Sequence, residues 1–174
     1  MANLAARLDV PHAASQWEED VGVNQRKQIA MNDGEVAAFL DQQRTTTMCT
    51  AHPDGSIHAV AMWYALVDGA ITVETKAKSQ KVQNLRRDPR LTFLVEDGDR
   101  YEELRGVELV GRAEIVDDAD RLWSLGVSMW ERYYGPYTEE SADGVRAMLN
   151  KRVGVRIAVD RVVSWDHRKI QPGG

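Results

Sequence analysis

The sequence predicts an α+β fold that is mostly β, in which helices pack outside a small closed barrel of antiparallel strands. Strand-like segments outnumber helical ones, and several follow one another with only a turn between them. Strands joined in this way pair as antiparallel neighbours, and the helical segments fall between groups of strands. The predicted order is a short helix, three strands, a helix, two strands, two helices and two strands.

The chain begins with weak periodicity and scattered charge, so residues 1–31 are predicted to be an N-terminal arm and residues 32–174 the folded domain. The domain opens with a capping pattern, NDGE at residues 32–35. The apolar residues that follow are spaced so that they share one face of a short helix. They are Val36, Phe39 and Leu40.

The first strands follow from turn signals. Residues 45–51 and 56–66 are rich in β-branched and apolar side chains and flank the turn HPDG at residues 52–55, which predicts a hairpin. Residues 68–69, Asp-Gly, turn the chain again. Residues 70–75 then alternate between apolar and polar side chains, which predicts a third antiparallel strand with one side exposed to solvent.

The second half of the chain mixes helices and strands. Ser79 is a suitable N-cap, and Pro89 ends the helix that follows it near residue 87. An acidic turn at residues 96–99 separates two further strands. The remaining predicted elements are these strands at residues 90–95 and 104–116, helices at about 117–134 and 142–150, and a strand pair at 153–159 and 161–166.

Composition excludes several classes of function. The 174 residues are 43% hydrophobic, which suits one compact domain. The longest apolar run, residues 59–67, is about half of a membrane span, and the first 30 residues lack a signal-peptide stretch, so the protein is predicted to be cytoplasmic. A single cysteine and four histidines argue against a disulfide framework or a metal cluster. A net charge of −5 argues against general binding to nucleic acids or anionic membranes.

One segment runs against this acidic balance. Between Lys76 and Arg90 six side chains are basic and only Asp88 is acidic. The segment begins where a strand is predicted to end and a helix to start, and the first N–H groups of a helix attract anions. Lysines and hydroxyls around that point have the chemistry of a phosphate cradle. The alternative is that Ser79 only caps the helix and the lysines are only solvated.

Several short segments occur in a characteristic order between about residues 32 and 165. They include EVAAFL at residues 35–40, the turn PDG at 53–55, the strand HAVAMWY at 58–64, and Thr75 with SQKVQNLRRDPR at 79–90. Together they resemble the split-barrel flavin-binding superfamily that includes pyridoxamine 5′-phosphate oxidase. The resemblance is strongest to its branch of deazaflavin (coenzyme F420)-dependent reductases.

The resemblance implies a split β-barrel and a homodimer that holds a tricyclic cofactor in a groove between the subunits. It implies hydride transfer from coenzyme F420 to an activated double bond of a planar conjugated molecule, with FMN as the alternative cofactor. A non-catalytic flavin- or haem-binding protein would use the same groove. The residues expected to contact the cofactor are His58, Val60, Ala61, Met62, Trp63 and Trp165 beside the ring system and Thr75, Lys76, Lys78, Ser79, Gln80 and Lys81 at the phosphate.

Two departures from the oxidase pattern bear on cofactor and substrate. The oxidase carries an arginine at the position of Gln80, so one bidentate phosphate partner is missing here, which favours F420 over tightly bound FMN. Trp63 and Tyr64 stand where the oxidase has a substrate-binding lysine, and residues 164–169 lack its full Arg-x-His segment. These differences argue against pyridoxamine phosphate as substrate and favour a flat organic molecule.

The sequence leaves the catalytic residues unknown, because hydride transfer is chemistry that the cofactor carries. His58, Tyr64 or a bound water are candidate proton donors, and Cys49 is expected to be a small buried hydrophobe. The helix at 117–134 carries an aromatic stripe that suits core packing, a dimer interface or a wall of the substrate pocket. Its members are Trp123, Val127, Trp130 and Tyr134.

Overall fold

The computed structural model describes residues 25–170. Within that range there are seven β-strands and five α-helices, joined by turns and short 3-10 segments. The strands are β1 (Thr45–Ala51), β2 (Ile57–Trp63), β3 (Ala65–Val67), β4 (Ala70–Lys76), β5 (Arg90–Asp97), β6 (Arg105–Val116) and β7 (Arg152–Asp166). The helices are α1 (Gln25–Ile29), α2 (Asp33–Gln42), α3 (Gln80–Arg87), α4 (Ala119–Tyr133) and α5 (Ala142–Leu149).

The strands form one antiparallel sheet in the order β2-β1-β5-β6-β7-β4-β3, which curls into a barrel. The two edge strands, β2 and β3, are consecutive in the chain, and β2 also approaches β4. No backbone ladder joins β2 to β4 in this sheet, so the barrel is split instead of closed. The mostly β, split-barrel class that the sequence and its resemblance predict is confirmed.

The barrel interior is apolar, and α2 closes one part of it. The Asn32 side chain accepts a hydrogen bond from the Glu35 N–H at 3.0 Å, and Glu35 accepts one from the Asn32 N–H at 2.7 Å, so the predicted capping box is present. Phe39 and Leu40 of α2 are buried with strand residues such as Phe93 in the main core.

The predicted strand at residues 56–66 is two strands, because the chain breaks at Tyr64. The Tyr64 side chain is fully buried, and its backbone N–H donates to the Tyr133 hydroxyl at 2.9 Å instead of to a neighbouring strand. This break carries the chain from one edge of the sheet to the other. As a result β4 lies between β3 and β7, and Thr72, expected on a solvent face, is buried.

The predicted strand pair near the C-terminus is also wrong, since β7 is one continuous strand. The register against β6 shifts between Val110 and Gly111, where Val110 faces Arg161 and Gly111 faces Val159. The extra residue, Asp160, is accommodated as a bulge, which bends the strand without ending its ladder.

The α4 helix buries a different face from the predicted aromatic stripe. Leu125, Gly126 and Met129 are buried, whereas Tyr134 is 59% exposed. A Cβ on Gly126 would come within 2.6 Å of the Leu149 side chain, so the missing side chain lets α5 pack closely against this face. The most buried face of α4 is therefore not the predicted stripe, of which Trp123, Val127 and Trp130 are half-buried and only Tyr134 is exposed.

Residues 1–24 of the predicted N-terminal arm and residues 171–174 lie outside the described residues. From residue 25 onward, α1 contacts β7, and the Met31 N–H donates to the Ser164 hydroxyl at 3.0 Å. No helix between residues 25 and 170 has the length and apolar character needed to cross a membrane.

Candidate functional site

The junction between β4 and α3 holds a hydroxyl pair at the end of the barrel. Thr75 is buried near the end of β4, and its Oγ1 lies 3.5 Å from the Ser79 Oγ. Ser79 has the extended backbone of an N-cap residue, but its side chain makes no capping hydrogen bond. The Ser79 side chain therefore does not cap α3, and its hydroxyl lies beside Thr75 instead.

Lys81 reaches back from the first turn of α3 to this hydroxyl pair. Its Nζ donates to the Thr75 Oγ1 at 3.2 Å, and the side chain is half-buried. Burial lowers the pKa of Lys81, the positive charge of Arg152 lowers it further, and Glu74 partly opposes both effects. An ammonium has three N–H donors, so Lys81 keeps donors for an anion. Lys76 and Lys78, by contrast, are exposed, as the solvated alternative expects.

Arg152, at the start of β7, is a basic residue of this region that the sequence reasoning did not single out. It pairs directly with Lys76 in the β4–β7 ladder, and the Ala77 N–H donates to the Lys151 carbonyl at 3.0 Å. The Arg152 Nη1 lies 2.8 Å from Glu74 Oε2. Burial raises the pKa of Glu74, although Arg152 opposes that shift. No local sequence signal could have found Arg152, because only the strand pairing brings it here.

Gln80 does not join this cluster. Its Nε2 donates to the Asn84 Oδ1 at 2.9 Å, and Asn84 in turn donates to the buried Thr50 hydroxyl at 3.1 Å. The Gln80 amide therefore holds α3 against β1, and its side chain supplies no guanidinium where the oxidase pattern has one.

Strand β2 presents its predicted ring-contacting residues on two opposite faces. Val60 and Met62 pack against the main core, and His58 lies on the same side with its ring 5.5 Å from that of His52. Ala61 and Trp63 lie on the outer, exposed side. The two sets cannot contact one planar ligand from the same face, because side chains alternate along a strand.

Trp63 belongs to an exposed group of aromatic rings at the end of β2. Its indole stacks on Tyr133 at 4.2 Å with nearly parallel planes and meets Tyr134 edge-on at 6.1 Å, and Tyr134 packs on Trp130 at 4.8 Å. Trp63 is 47% exposed. Two members of the predicted stripe, Trp130 and Tyr134, thus form part of an aromatic surface beside Trp63, whereas Trp123 packs separately against Tyr137.

Two other candidates take structural positions. The Tyr64 hydroxyl donates to the Leu40 carbonyl at 2.6 Å, and burial raises the pKa of Tyr64 to about 12, so this phenol is not a proton donor for a bound substrate. Cys49 is half-buried, and burial raises the pKa of its thiol. A protonated thiol on a strand packs as a small apolar group.

Trp165 lies far along β7 from the phosphate-binding candidates. It pairs with Gly106, and a Cβ on Gly106 would come within 2.3 Å of the indole, so this glycine makes room for the ring. Arg152, beside Lys76, is at the other end of the same strand. At about 3.3 Å per residue the two ends of β7 are on the order of 45 Å apart along the strand. One chain therefore does not bring Trp165 together with residues 75–81.

Two surface depressions also lie away from residues 75–81. One, of about 300 Å³, is lined by Asp97, Arg105 and Arg168 among others. The second, of about 330 Å³, lies between α2 and α4 and includes Arg44 and Arg132. Within residues 25–170 no group of three or more His, Cys, Asp or Glu side chains is arranged to hold a metal ion.

Residues 33–166 match the sequence profile described as pyridoxamine 5′-phosphate oxidase. A search of curated proteins gives no significant match.

Among solved structures, the chain is similar to a conserved hypothetical protein from Mycobacterium tuberculosis. The two share 55% sequence identity with a TM-score of 0.81, over 87% of this chain and 98% of that one. It is also similar to an F420 reductase, with 27% identity and a TM-score of 0.54 over 72% of this chain and 93% of the other. The haem storage protein HutZ from Vibrio cholerae, at 17% identity and a TM-score of 0.60 over 75% and 92% of the two chains, shares the fold alone.

Proposed function

The chain belongs to the pyridoxamine 5′-phosphate oxidase family, and from that premise we propose that it is a cytoplasmic oxidoreductase that uses coenzyme F420. In this proposal it transfers a hydride to an activated double bond of a planar conjugated molecule. The observation that carries the proposal is the half-buried Lys81 ammonium, which donates to the Thr75 hydroxyl beside Ser79 and makes no other side-chain hydrogen bond among the described residues.

The β4–α3 junction supports binding of a phosphate. A half-buried cation is partly desolvated in the free protein, and a bound phosphate would supply acceptors for its remaining donors. The Ser79 hydroxyl and the first N–H groups of α3 add donors around the same point. Lys76 and Lys78 are exposed and contribute positive potential that attracts the anion.

The choice of F420 over FMN rests on two observations. The Gln80 amide is bound to Asn84, so this position offers no bidentate partner for a terminal phosphate. The similar F420 reductase, at 27% identity, points in the same direction. FMN is the second candidate, because the same lysine and hydroxyls would also bind a phosphomonoester.

For the ring system we propose the outer side of β2, where Trp63 is exposed, as one wall of the groove. Trp165 can take part only from a second copy of the chain, because in one chain it lies at the opposite end of β7 from Arg152. In this proposal a homodimer would form the groove, with Trp63 of one protomer on one side and Trp165 of the other copy opposite it. The half-buried His58, Val60 and Met62 would support this strand from the core side.

Bound coenzyme would supply the hydride itself. The protein's part is to hold the phosphate at Lys81, orient the ring plane against Trp63 and exclude water from the reacting faces. Tyr64 takes no part in proton transfer, since its hydroxyl is committed to Leu40.

The test is a titration of the purified protein with oxidised coenzyme F420, followed by fluorescence, with FMN titrated in parallel. We expect saturable binding of F420 at micromolar concentrations and weaker binding of FMN. Absence of saturable F420 binding would refute the proposal. A preparation that purifies yellow and releases FMN on denaturation would favour FMN, and bound reduced F420 that no acceptor oxidises would favour a carrier.

A further inference from the structure

A partly buried ion pair beside the phosphate-binding candidates has no role in the function proposed above. Glu74 on β4 and Arg152 on β7 approach to 2.8 Å, with their side chains 11% and 31% exposed. Two backbone features fix this place next to the β4–α3 turn. Lys76 is the direct ladder partner of Arg152, and the Ala77 N–H donates to the Lys151 carbonyl.

Arg152 is the more exposed member of the ion pair and keeps N–H donors for a ligand. Glu74 is the more buried partner and is held in place by the sheet and by Arg152. A guanidinium carries five N–H donors in a rigid fork, so one contact with a carboxylate leaves most of them unused. Arg152 is also close enough to Lys81 for its charge to disfavour the charged form of that lysine.

Two cations that repel each other in the free protein can share one anion. A phosphate between Lys81 and Arg152 would replace their repulsion with two charge-assisted contacts. Building on the function proposed above, we propose that Arg152 is the guanidinium that binds the cofactor phosphate together with Lys81. Glu74 acts as a positioning residue that holds the Arg152 side chain at the turn when the anion is absent.

This assignment accounts for the lack of an arginine at position 80. The oxidase pattern draws its guanidinium from the first turn of the helix, where this chain has Gln80, whose amide is bound to Asn84. Here the neighbouring strand β7 provides a guanidinium to the same turn. A residue distant in the sequence thus replaces a local one.

The experiment measures how much the phosphate contributes to binding. Each protein variant is titrated with two ligand pairs, coenzyme F420 and its deazaflavin core without the phosphate-bearing tail, and FMN and riboflavin. The ratio of the two Kd values in each pair reports the phosphate contribution alone. A residue with only a structural role changes both Kd values together and leaves the ratio unchanged.

For the wild type we expect the phosphate-bearing ligand of at least one pair to bind more tightly. Arg152→Gln should reduce that ratio by about 10-fold or more, the effect of losing a charge-assisted contact. Arg152→Lys should recover part of the ratio, since it restores the charge without the fork. Glu74→Gln should keep the ratio or increase it, because Arg152 is then free of its competing carboxylate.

Arg156→Gln is the matched control. Arg156 lies on the same strand and side as Arg152 and pairs with a carboxylate, Glu114, at 3.7 Å. Its substitution should leave the ratio unchanged. If Arg152→Gln folds poorly, the double variant Glu74→Gln/Arg152→Gln removes both buried charges and should show the same reduced ratio as the single variant.

The outcomes separate the two proposals. If the wild type binds none of the four ligands, the proposed function fails and this inference fails with it. If the wild type prefers the phosphate-bearing ligand and Arg152→Gln and the double variant keep the full ratio, only the role of Arg152 is overturned. An equal loss of affinity for both members of a pair also overturns it, since that result shows a structural role.

Discussion

Two regions of the molecule each hold a buried or half-buried cation, and they use it differently. At the junction of α2 and α4, Arg132 is 10% exposed and donates to the carbonyl oxygens of Leu40, Asp41 and Gln43. Its guanidinium also lies 4.8 Å from the centre of the Tyr64 ring. At the junction of β4 and α3, Lys81 makes one side-chain hydrogen bond, to Thr75.

The difference teaches how to separate structural from ligand-binding cations in this fold. Arg132 satisfies carbonyl groups at the C-terminus of α2, which would otherwise lack partners. Lys81 lies beside a second cation and keeps unused donors, so its burial costs free energy that protein contacts do not return. The terminal nitrogens of Arg132 donate to the end of α2, although its buried Nε has no partner among the described residues, whereas Lys81 donates to a single side chain.

The largest effect is expected at the structural cation. Arg132→Met removes the donor from three carbonyl groups and should lower the free energy of unfolding by about 3 kcal/mol. Urea denaturation followed by circular dichroism measures this loss. The fraction that remains folded should bind coenzyme with unchanged affinity, because no phosphate contact is lost.

Arg121→Met is the control for this comparison. Arg121 lies on the same helix, and its ion pair with Glu114 is exposed to solvent. Such pairs contribute less than about 1 kcal/mol. Equal losses in the two variants would mean that the carbonyl contacts of Arg132 do not stabilise the fold.

The second-largest effect is expected at Lys81, where a substitution should weaken coenzyme binding and leave stability intact. Lys81→Met keeps the length of the side chain but removes the charge, and it should weaken coenzyme binding by about 1 to 3 kcal/mol. The free energy of unfolding should stay the same or rise, because a poorly solvated charge disappears. Arg86→Met, an exposed basic residue on the same helix, should change neither quantity. A large loss of stability in Lys81→Met would show that Lys81 is structural.

Features that depend on neighbouring residues were predictable from the sequence, whereas those that depend on strand pairing were not. The Asn32–Glu35 capping box and the Asp68–Gly69 turn depend on neighbouring residues, and both residues of the turn have the positive φ angles that a tight hairpin requires. The turn from β4 into α3 at residues 77–79 was predictable for the same reason, whereas phosphate binding there stays a prediction. Arg152 was not, because its position follows from the pairing of β4 with β7, which no local pattern specifies.

The helix α4 shows a second limit. Its sequence holds two apolar stripes, and periodicity alone favours the one with more aromatic residues. The structure buries Leu125 and Met129 instead, which pack with Ala65 of β3, while Gly126 and Gly144 let α4 and α5 approach closely, with Trp130 packed over Gly144. Contacts with the sheet and with α5 therefore decided what one helical pattern could not.

The lowered pKa of Lys81 predicts how coenzyme affinity depends on pH. Because that pKa is lowered from 10.5, the free protein loses the Lys81 proton at a lower pH than an ordinary lysine does. A phosphate binds the protonated form, so coenzyme affinity should begin to fall below pH 10.5 as the pH rises from neutral. Titrations at several alkaline pH values measure the decline.

Lys81→Arg provides the control, since a guanidinium stays protonated throughout this range. Its coenzyme affinity should depend less on pH than that of the wild type. An identical decline in both proteins would assign the pH dependence to another group.

The smallest effect concerns the carboxylate that holds Arg152. The pKa of Glu74 is raised by burial, so the folded state binds this proton more tightly than the unfolded state, and ionisation above the raised pKa costs stability. Glu74→Gln should therefore increase the free energy of unfolding at pH 7 by less than about 1 kcal/mol, and the difference should vanish below pH 4.5.

Glu114→Gln should show the opposite sign. The Arg121 hydrogen bond lowers the pKa of Glu114, so its carboxylate stabilises the protein at neutral pH and that contribution disappears as the pH falls through the lowered pKa. Thermal unfolding of both variants between pH 3 and pH 7 measures the two trends, and the same sign for both would contradict the contrast between a buried carboxylate and an exposed one.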